Sequence, residues 1–209
     1  MSKNFQRFEA LPDEKQKAIM NSAMEEFVKG GYDKASVNNI VEKAAISKGS
    51  LFYYFKSKKK LYLYLFEHCE NMIISNAKAH LSKDNFDFIK RMNETMKGNL
   101  KLLKDYPLVY RFVRSCKLET SIEVLNEIID IKENTNDEIL GDVYRNVDKK
   151  LFKEDIDVQK AMFTVKSTLF QLMHDFLRSG TEDQNLVESE IDQYMAFFKL
   201  AFYKPEGKS

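Results

Sequence analysis

Helix breakers are scarce in this chain: seven glycines and three prolines are spread over 209 residues, so a helix once started meets little that would stop it. Lys, Glu, Leu, Met and Phe are plentiful, and no segment alternates polar with apolar residues as a half-buried strand does. The expected fold class is all-α. Apolar residues make up 44% of the chain and charged residues 31%, which supports a packed core and argues against disorder.

The length suits one small head and one larger body. A net charge of +1 does not by itself suggest a nucleic-acid partner, but its distribution is uneven. Residues 1–66 carry twelve Lys or Arg against seven Asp or Glu, and the remainder twenty-one against twenty-five, so positive charge gathers at the N-terminal end. No stretch approaches the roughly 20 apolar residues of a membrane helix, and the N-terminus lacks a signal-type apolar core. A cytoplasmic protein without a membrane partner is expected. Cys69 and Cys116 stand far apart with no His or Cys at ligand spacing, so neither a disulfide nor a metal site is assigned, and no cofactor.

Chain punctuation marks the N-terminal helices. Asp13 is placed to cap the first, with Gln16 completing a capping box, and Gly30-Gly31 to close it. Ser36 caps a second helix with Val37, Ile40, Val41 and Ala44 as its buried stripe, and Ser47 caps a third after a three-residue turn. In that third helix, Lys48–Phe55, only Leu51 and Phe55 share a core face. Tyr53 and the small residues of the first turn therefore point outward. Cationic, hydroxyl and small side chains are what close approach to phosphates and base edges requires. Phe52 and Tyr54 fit either that surface or the packing of the head.

The order Gly31-Tyr32, Ser36, then Ser47-Lys48-Gly49-Ser50-Leu51-Phe52-Tyr53-Tyr54-Phe55, Lys56-Ser57-Lys58 and Leu61 resembles the TetR family of bacterial regulators over roughly residues 13–66, with the helix-turn-helix in residues 36–55. The resemblance implies a TetR-like fold of about nine helices. It comprises an N-terminal three-helix DNA-binding domain, residues 1–58, and a C-terminal helical ligand-binding and dimerisation domain, residues 59–209. It further implies DNA contacts from Ser36, Asn38, Lys48, Gly49, Ser50, Phe52, Tyr53, Tyr54 and Lys58. Two departures stand out. Phe52 replaces the usual Tyr, which removes a phosphate hydrogen bond and leaves thymine-methyl contact or core packing. Ala45 replaces the usual turn glycine, which strains the turn.

Beyond residue 60, apolar spacing marks a long helix through Leu61, Leu65, Cys69 and Met72, and another opened by Asp84 and running to Tyr106. Pro107 starts the next at its first position. The breaks between residues 120 and 155 are not placed. The last two helices span about 156–179 and 184–203, separated by Ser179-Gly180-Thr181. Val165, Leu169, Leu172 and Phe176 form one stripe on the first of this pair and Phe163, Phe170 and Leu177 another. Ile191, Tyr194, Met195, Phe198 and Phe202 mark the second helix. The pair resembles the family's four-helix dimer interface, to which Val165, Leu169, Leu172, Phe176, Ile191, Tyr194, Met195, Phe198 and Phe202 are assigned; a hairpin packed within one chain is the alternative. The family also implies a small-molecule pocket, with Tyr110, Phe112, Cys116, Phe163, Phe170 and His174 as candidate lining.

An enzyme is not expected, since His68, His80 and His174 have no nucleophile or carboxylate at a recognisable spacing and no phosphate-binding glycine loop exists. The resemblance implies a homodimeric repressor that binds a palindromic operator and is released by an effector. Effector, operator, regulated genes and the sign of regulation are not written in the sequence. A helical binding protein without DNA function is the rival reading.

Overall fold

The computed structural model describes residues 3–82, 84–144, 146–179 and 184–205. They form α1 (Lys3–Glu9), α2 (Asp13–Lys34), α3 (Val37–Lys43), α4 (Lys48–Phe55), α5 (Lys58–His80), α6 (Phe88–Asp105), α7 (Pro107–Lys117), α8 (Leu125–Tyr144), a 3-10 turn (Lys149–Leu151), α9 (Val158–Ser179) and α10 (Gln184–Phe202). No strand occurs among the described residues, which hold only an isolated bridge between Phe152 and Tyr203. The all-α expectation holds, and the helix beyond the expected nine is α1.

Helix ends explain most of the boundaries. Ser36 and Ser47 cap α3 and α4 as expected, and Pro107 opens α7. Two caps differ from expectation. Asp13 is already inside α2, whose capping position is Pro12, so the capping box does not form. Gln16 Nε2 instead donates to the carbonyls of Glu9 at 3.0 Å and Leu11 at 2.8 Å, tying α1 to α2. The helix expected from Asp84 begins at Phe88, where Asp87 accepts from the Lys90 amide at 3.0 Å. Gly31, at φ 66, breaks the regular geometry of α2 where the glycine pair was expected to close it, and the chain continues helical to Lys34. The Gly180-Thr181 link between α9 and α10 lies outside the described residues.

The described residues pack as two units, one drawn from 3–72 and 106–135 and one from 73–105 and those from 136 onward. The boundary at 58/59 read from the motif differs from this division, because α7 packs along α2 and stays with it. In the first unit Phe27 of α2, Tyr62 of α5 and Phe112 of α7 form a ring cluster, with centroids 4.8 Å apart for Phe27 and Tyr62 and 5.6 Å for Tyr62 and Phe112. All three are essentially without exposure, and buried aromatics of this size dominate core energetics.

In the second unit α6, α9 and α10 pack on one another. Val165, Leu169, Ile191, Met195 and Phe198 are buried. The Tyr203 hydroxyl accepts from the Ile89 amide at 3.1 Å and donates to Asp87 at 2.8 Å, joining the end of α10 to the start of α6. None of the described helices is long and apolar enough to cross a membrane.

Candidate nucleic-acid interface

The bihelical element α3–α4 is fixed at both starts and at its turn. The Ser36 hydroxyl accepts from the Asn39 amide at 3.4 Å. The Ser47 hydroxyl accepts from the Ser50 amide at 3.0 Å and bonds the Ser50 hydroxyl at 2.8 Å. Buried Glu26 of α2, unremarked in the sequence, accepts from the Ser36 amide at 3.0 Å and the Asn39 side chain at 3.1 Å, so α2 sets the entry of α3. Between the helices, the Ala45 amide donates to Glu42 and the Ile46 amide to Val41, a closing pattern that needs a left-handed residue at position 45. Ala45 supplies it at φ 51, so the expected strain is present.

Leu51 and Phe55 bury one face of α4, as the spacing predicts, and Tyr53 is 51% exposed. Lys48 and Gly49 are exposed, Ser50 half-buried, and Asn38 exposed on α3. The Gly49 position is open: an added Cβ would meet nothing nearer than the Ser47 hydroxyl at 3.7 Å. Phe52 and Tyr54 are half-buried, and Tyr54 also packs edge-on to Phe8 of α1 at 6.2 Å. The helix thus presents a small, cationic and hydroxyl-bearing edge on a rigid support, which suits a base-reading element.

Lys58 is placed otherwise than a phosphate contact would be. Its ammonium donates to the carbonyls of Tyr32 at 2.9 Å and Asp33 at 3.2 Å, and lies 4.6 Å from the Tyr32 ring centre. It satisfies acceptors that the end of α2 leaves open. Lys59 is likewise engaged, 2.6 Å from Glu127 of α8; that hydrogen bond holds the Glu127 carboxyl below its ordinary range. The same corner receives the segment after α7. Glu119 accepts from the Tyr32 amide at 2.8 Å, Glu123 from the Tyr32 hydroxyl at 2.5 Å, and Ser121 donates to Asp33 at 2.7 Å. The sequence carried no signal for these pairings, because the partners lie some ninety positions apart.

Residues 19–65, which span the capped pair and the start of α5, match the family model described as bacterial regulatory proteins, tetR family. These residues carry the DNA-binding domain of the TetR family. The regulator RutR of Escherichia coli (strain K12) is 30% identical over 97 residues, 46% of this chain and 45% of that protein. The chain thus spans about half the length of the curated relatives it first matches. The IcaR negative transcriptional regulator of the biofilm operon icaADBC in Staphylococcus aureus (strain Newman) is 28% identical over 147 residues, 66% of this chain and 73% of its own length. A TetR-family regulator structure from Chloroflexus aurantiacus J-10-FL superimposes with a TM-score of 0.70 at 19% identity, covering 96% of this chain and 98% of that one. This likeness shows that the TetR fold extends beyond the matched head.

The remaining candidate residues divide between the two units. Tyr110, Phe112 and Cys116 are buried on α7. Phe163 and Phe170 are 70% and 56% exposed on α9, so they line no enclosed pocket. His174 pairs with its neighbour Asp175 at 2.9 Å. Burial pushes the Cys69 thiol up to about 12 and raises Cys116 further, which leaves both as packing residues and not thiolates. The Tyr110 hydroxyl is buried without a hydrogen-bond partner.

The interface assignment is corrected in part. Val165, Leu169, Ile191, Met195 and Phe198 are buried within one chain and are unavailable to another. Leu172, Phe176, Tyr194 and Phe202 are half-buried. The large apolar residues exposed on α9 and α10, among those described, are Phe163, Phe170, Leu186, Phe197 and Leu200. Among the described residues no group of His, Cys, Asp or Glu could hold a metal ion.

Proposed function

We propose that this protein is a sequence-specific transcriptional repressor that binds a palindromic operator as a homodimer and is released by a small-molecule effector. The observation that carries the reading is α4: a helix capped by Ser47, seated on Leu51 and Phe55, and offering Lys48, Gly49, Ser50 and Tyr53 outward. A single eight-residue helix reads few bases, and two heads about one DNA turn apart supply the missing specificity. The exposed Phe163, Phe170 and Phe197 support pairing through α9 and α10, because large apolar side chains left in water favour a second copy. The unpartnered Tyr110 hydroxyl on α7 supports an effector that supplies a polar group there. Since α7 packs along α2, displacement of α7 by a ligand would be felt in the head.

Genome-wide footprinting, followed by operator titrations, tests the reading. Gly49→Ala is the sharpest variant, because the open space around Gly49 predicts that the folded protein gains about 0.5–1 kcal/mol while the added methyl obstructs DNA. Absence of salt-dependent DNA retention by the wild type, or undiminished operator affinity in Gly49→Ala, would count against a base-reading α4.

A further inference from the structure

We propose that Arg7 of α1 is a DNA-contacting residue, placed beside the recognition helix to hold a backbone phosphate next to Tyr53. The inference rests on the DNA-binding reading above, but Arg7 and the rest of α1 lie outside the span 19–65 that matches the family. Seven residues are too few for a helix to persist alone in water, so α1 exists because something holds it. That something is aromatic. Phe5 lies 6.1 Å from Phe55 and 4.7 Å from Tyr64 between ring centres, and Phe8 lies 4.8 Å from Phe55 and 5.6 Å from Tyr64. Phe8 has no exposed surface. These two residues, three apart on one helical face, anchor α1 to α4 and α5.

Arg7 adjoins Phe8 in sequence, so it leaves the helix about 100° away from the buried anchor. Its guanidinium carbon is 4.7 Å from the centre of the Tyr53 ring, and Tyr53 is the aromatic that α4 turns outward. Arginine stacked on a ring engages its flat face and keeps its N–H donors in the plane, aimed sideways. Arg7 itself is exposed. No carboxylate among the described residues pairs with it, and nearby Glu9 accepts from the Tyr64 hydroxyl at 3.4 Å. A fork of donors held at the edge of a base-reading surface, with its side chain fixed by a tyrosine, matches the two oxygens of a phosphate. The packing of α1 does not need this contact, since Phe5 and Phe8 already supply its anchor.

The test is fluorescence anisotropy of the full chain on a mixed-sequence duplex about three helical turns long, measured between about 50 and 200 mM salt. A phosphate contact requires no particular sequence, so the operator need not be known. Arg7→Ala should weaken binding several-fold and reduce the slope of log K against log salt by about 0.9 per head, or about 1.8 for a dimer. Arg7→Lys should keep most of the slope. The loss should persist in a Tyr53→Leu background, whereas a residue that only orients the tyrosine would add nothing there. An unchanged slope in Arg7→Ala, or a loss that vanishes in the Tyr53→Leu background, overturns the assignment while leaving the DNA-binding reading intact. If the wild type shows no salt-dependent binding, that reading falls and the role of Arg7 with it. Circular dichroism of each variant confirms that the head is folded, and Arg7→Gln replaces Arg7→Ala if the latter is not.

Discussion

The Lys58 ammonium is bound to the end of α2 through Tyr32: it lies over the ring face, 4.6 Å from the ring centre, and donates to the carbonyl of the same residue at 2.9 Å. A charged donor on the part-buried Tyr32 carbonyl contributes more than an ordinary hydrogen bond, so Lys58→Ala should cost about 1–2 kcal/mol after allowance for the exposure of Lys58 and of its Asp33 contact. Chemical denaturation reads that loss. The salt dependence of DNA binding should change little, because the ammonium is committed inside the protein. A variant with an unaltered denaturation midpoint and a shallower salt slope would restore Lys58 to the phosphate role implied by the family pattern.

Ala45 occupies the left-handed region at φ 51. An L-residue there is disfavoured by about 1–2 kcal/mol, part of which a glycine returns through its greater freedom in the unfolded chain. Ala45→Gly is therefore expected to stabilise the protein by roughly 0.5–1 kcal/mol. A melting temperature that does not rise would show that the turn accommodates alanine without strain.

Adjacent phenylalanines on α10 give opposite outcomes. Phe198 is 2% exposed and Phe197 is 60% exposed. Phe198→Glu buries a charge and removes core volume, which should cost at least about 3 kcal/mol and impair folding. Phe197→Glu should leave the monomer folded and weaken its self-association. Sedimentation combined with thermal melting separates the two effects, and a folded Phe197→Glu dimer as tight as the wild type would place the interface elsewhere.

His68 sets a pH dependence. Burial holds its imidazole below the ordinary value of 6.5, against the weaker upward pull of Glu9. The unfolded chain then binds this proton more readily than the folded one. The stability linked to the neutral ring is complete above the unfolded value and is lost as pH falls from there through the lower folded value. Denaturation on the two sides of pH 6.5 should show a larger loss in the wild type than in His68→Gln. Equal losses would mean that the ring titrates normally in the fold.

What could be read from the sequence was local. Ser36 and Ser47 announce their helices because a capping hydroxyl acts on an amide three positions on, and Pro107 and the α9 and α10 spans are signalled equally close by. Helix α1 escaped notice because Phe5 and Phe8 owe their order to Phe55 and Tyr64, far along the chain. Asp13 satisfied a capping pattern that Pro12 displaced. On α9 both the Val165–Leu169 stripe and the Phe163–Phe170 stripe are apolar, so periodicity could not tell which is buried. The carboxylate of Glu26 was invisible for the same reason as α1: its partners Ser36 and Asn39 belong to another helix.

The hold of Glu119 and Glu123 on Tyr32 bears on attempts to build hybrid regulators. A graft that cuts after residue 58 and supplies a foreign body would strip α2 of the helix packed along it and of both acids that grip its end. The transplantable module is two separate stretches, residues up to 72 and residues 106–135. A recipient lacking acids opposite Tyr32 would receive the reading head with its mooring cut.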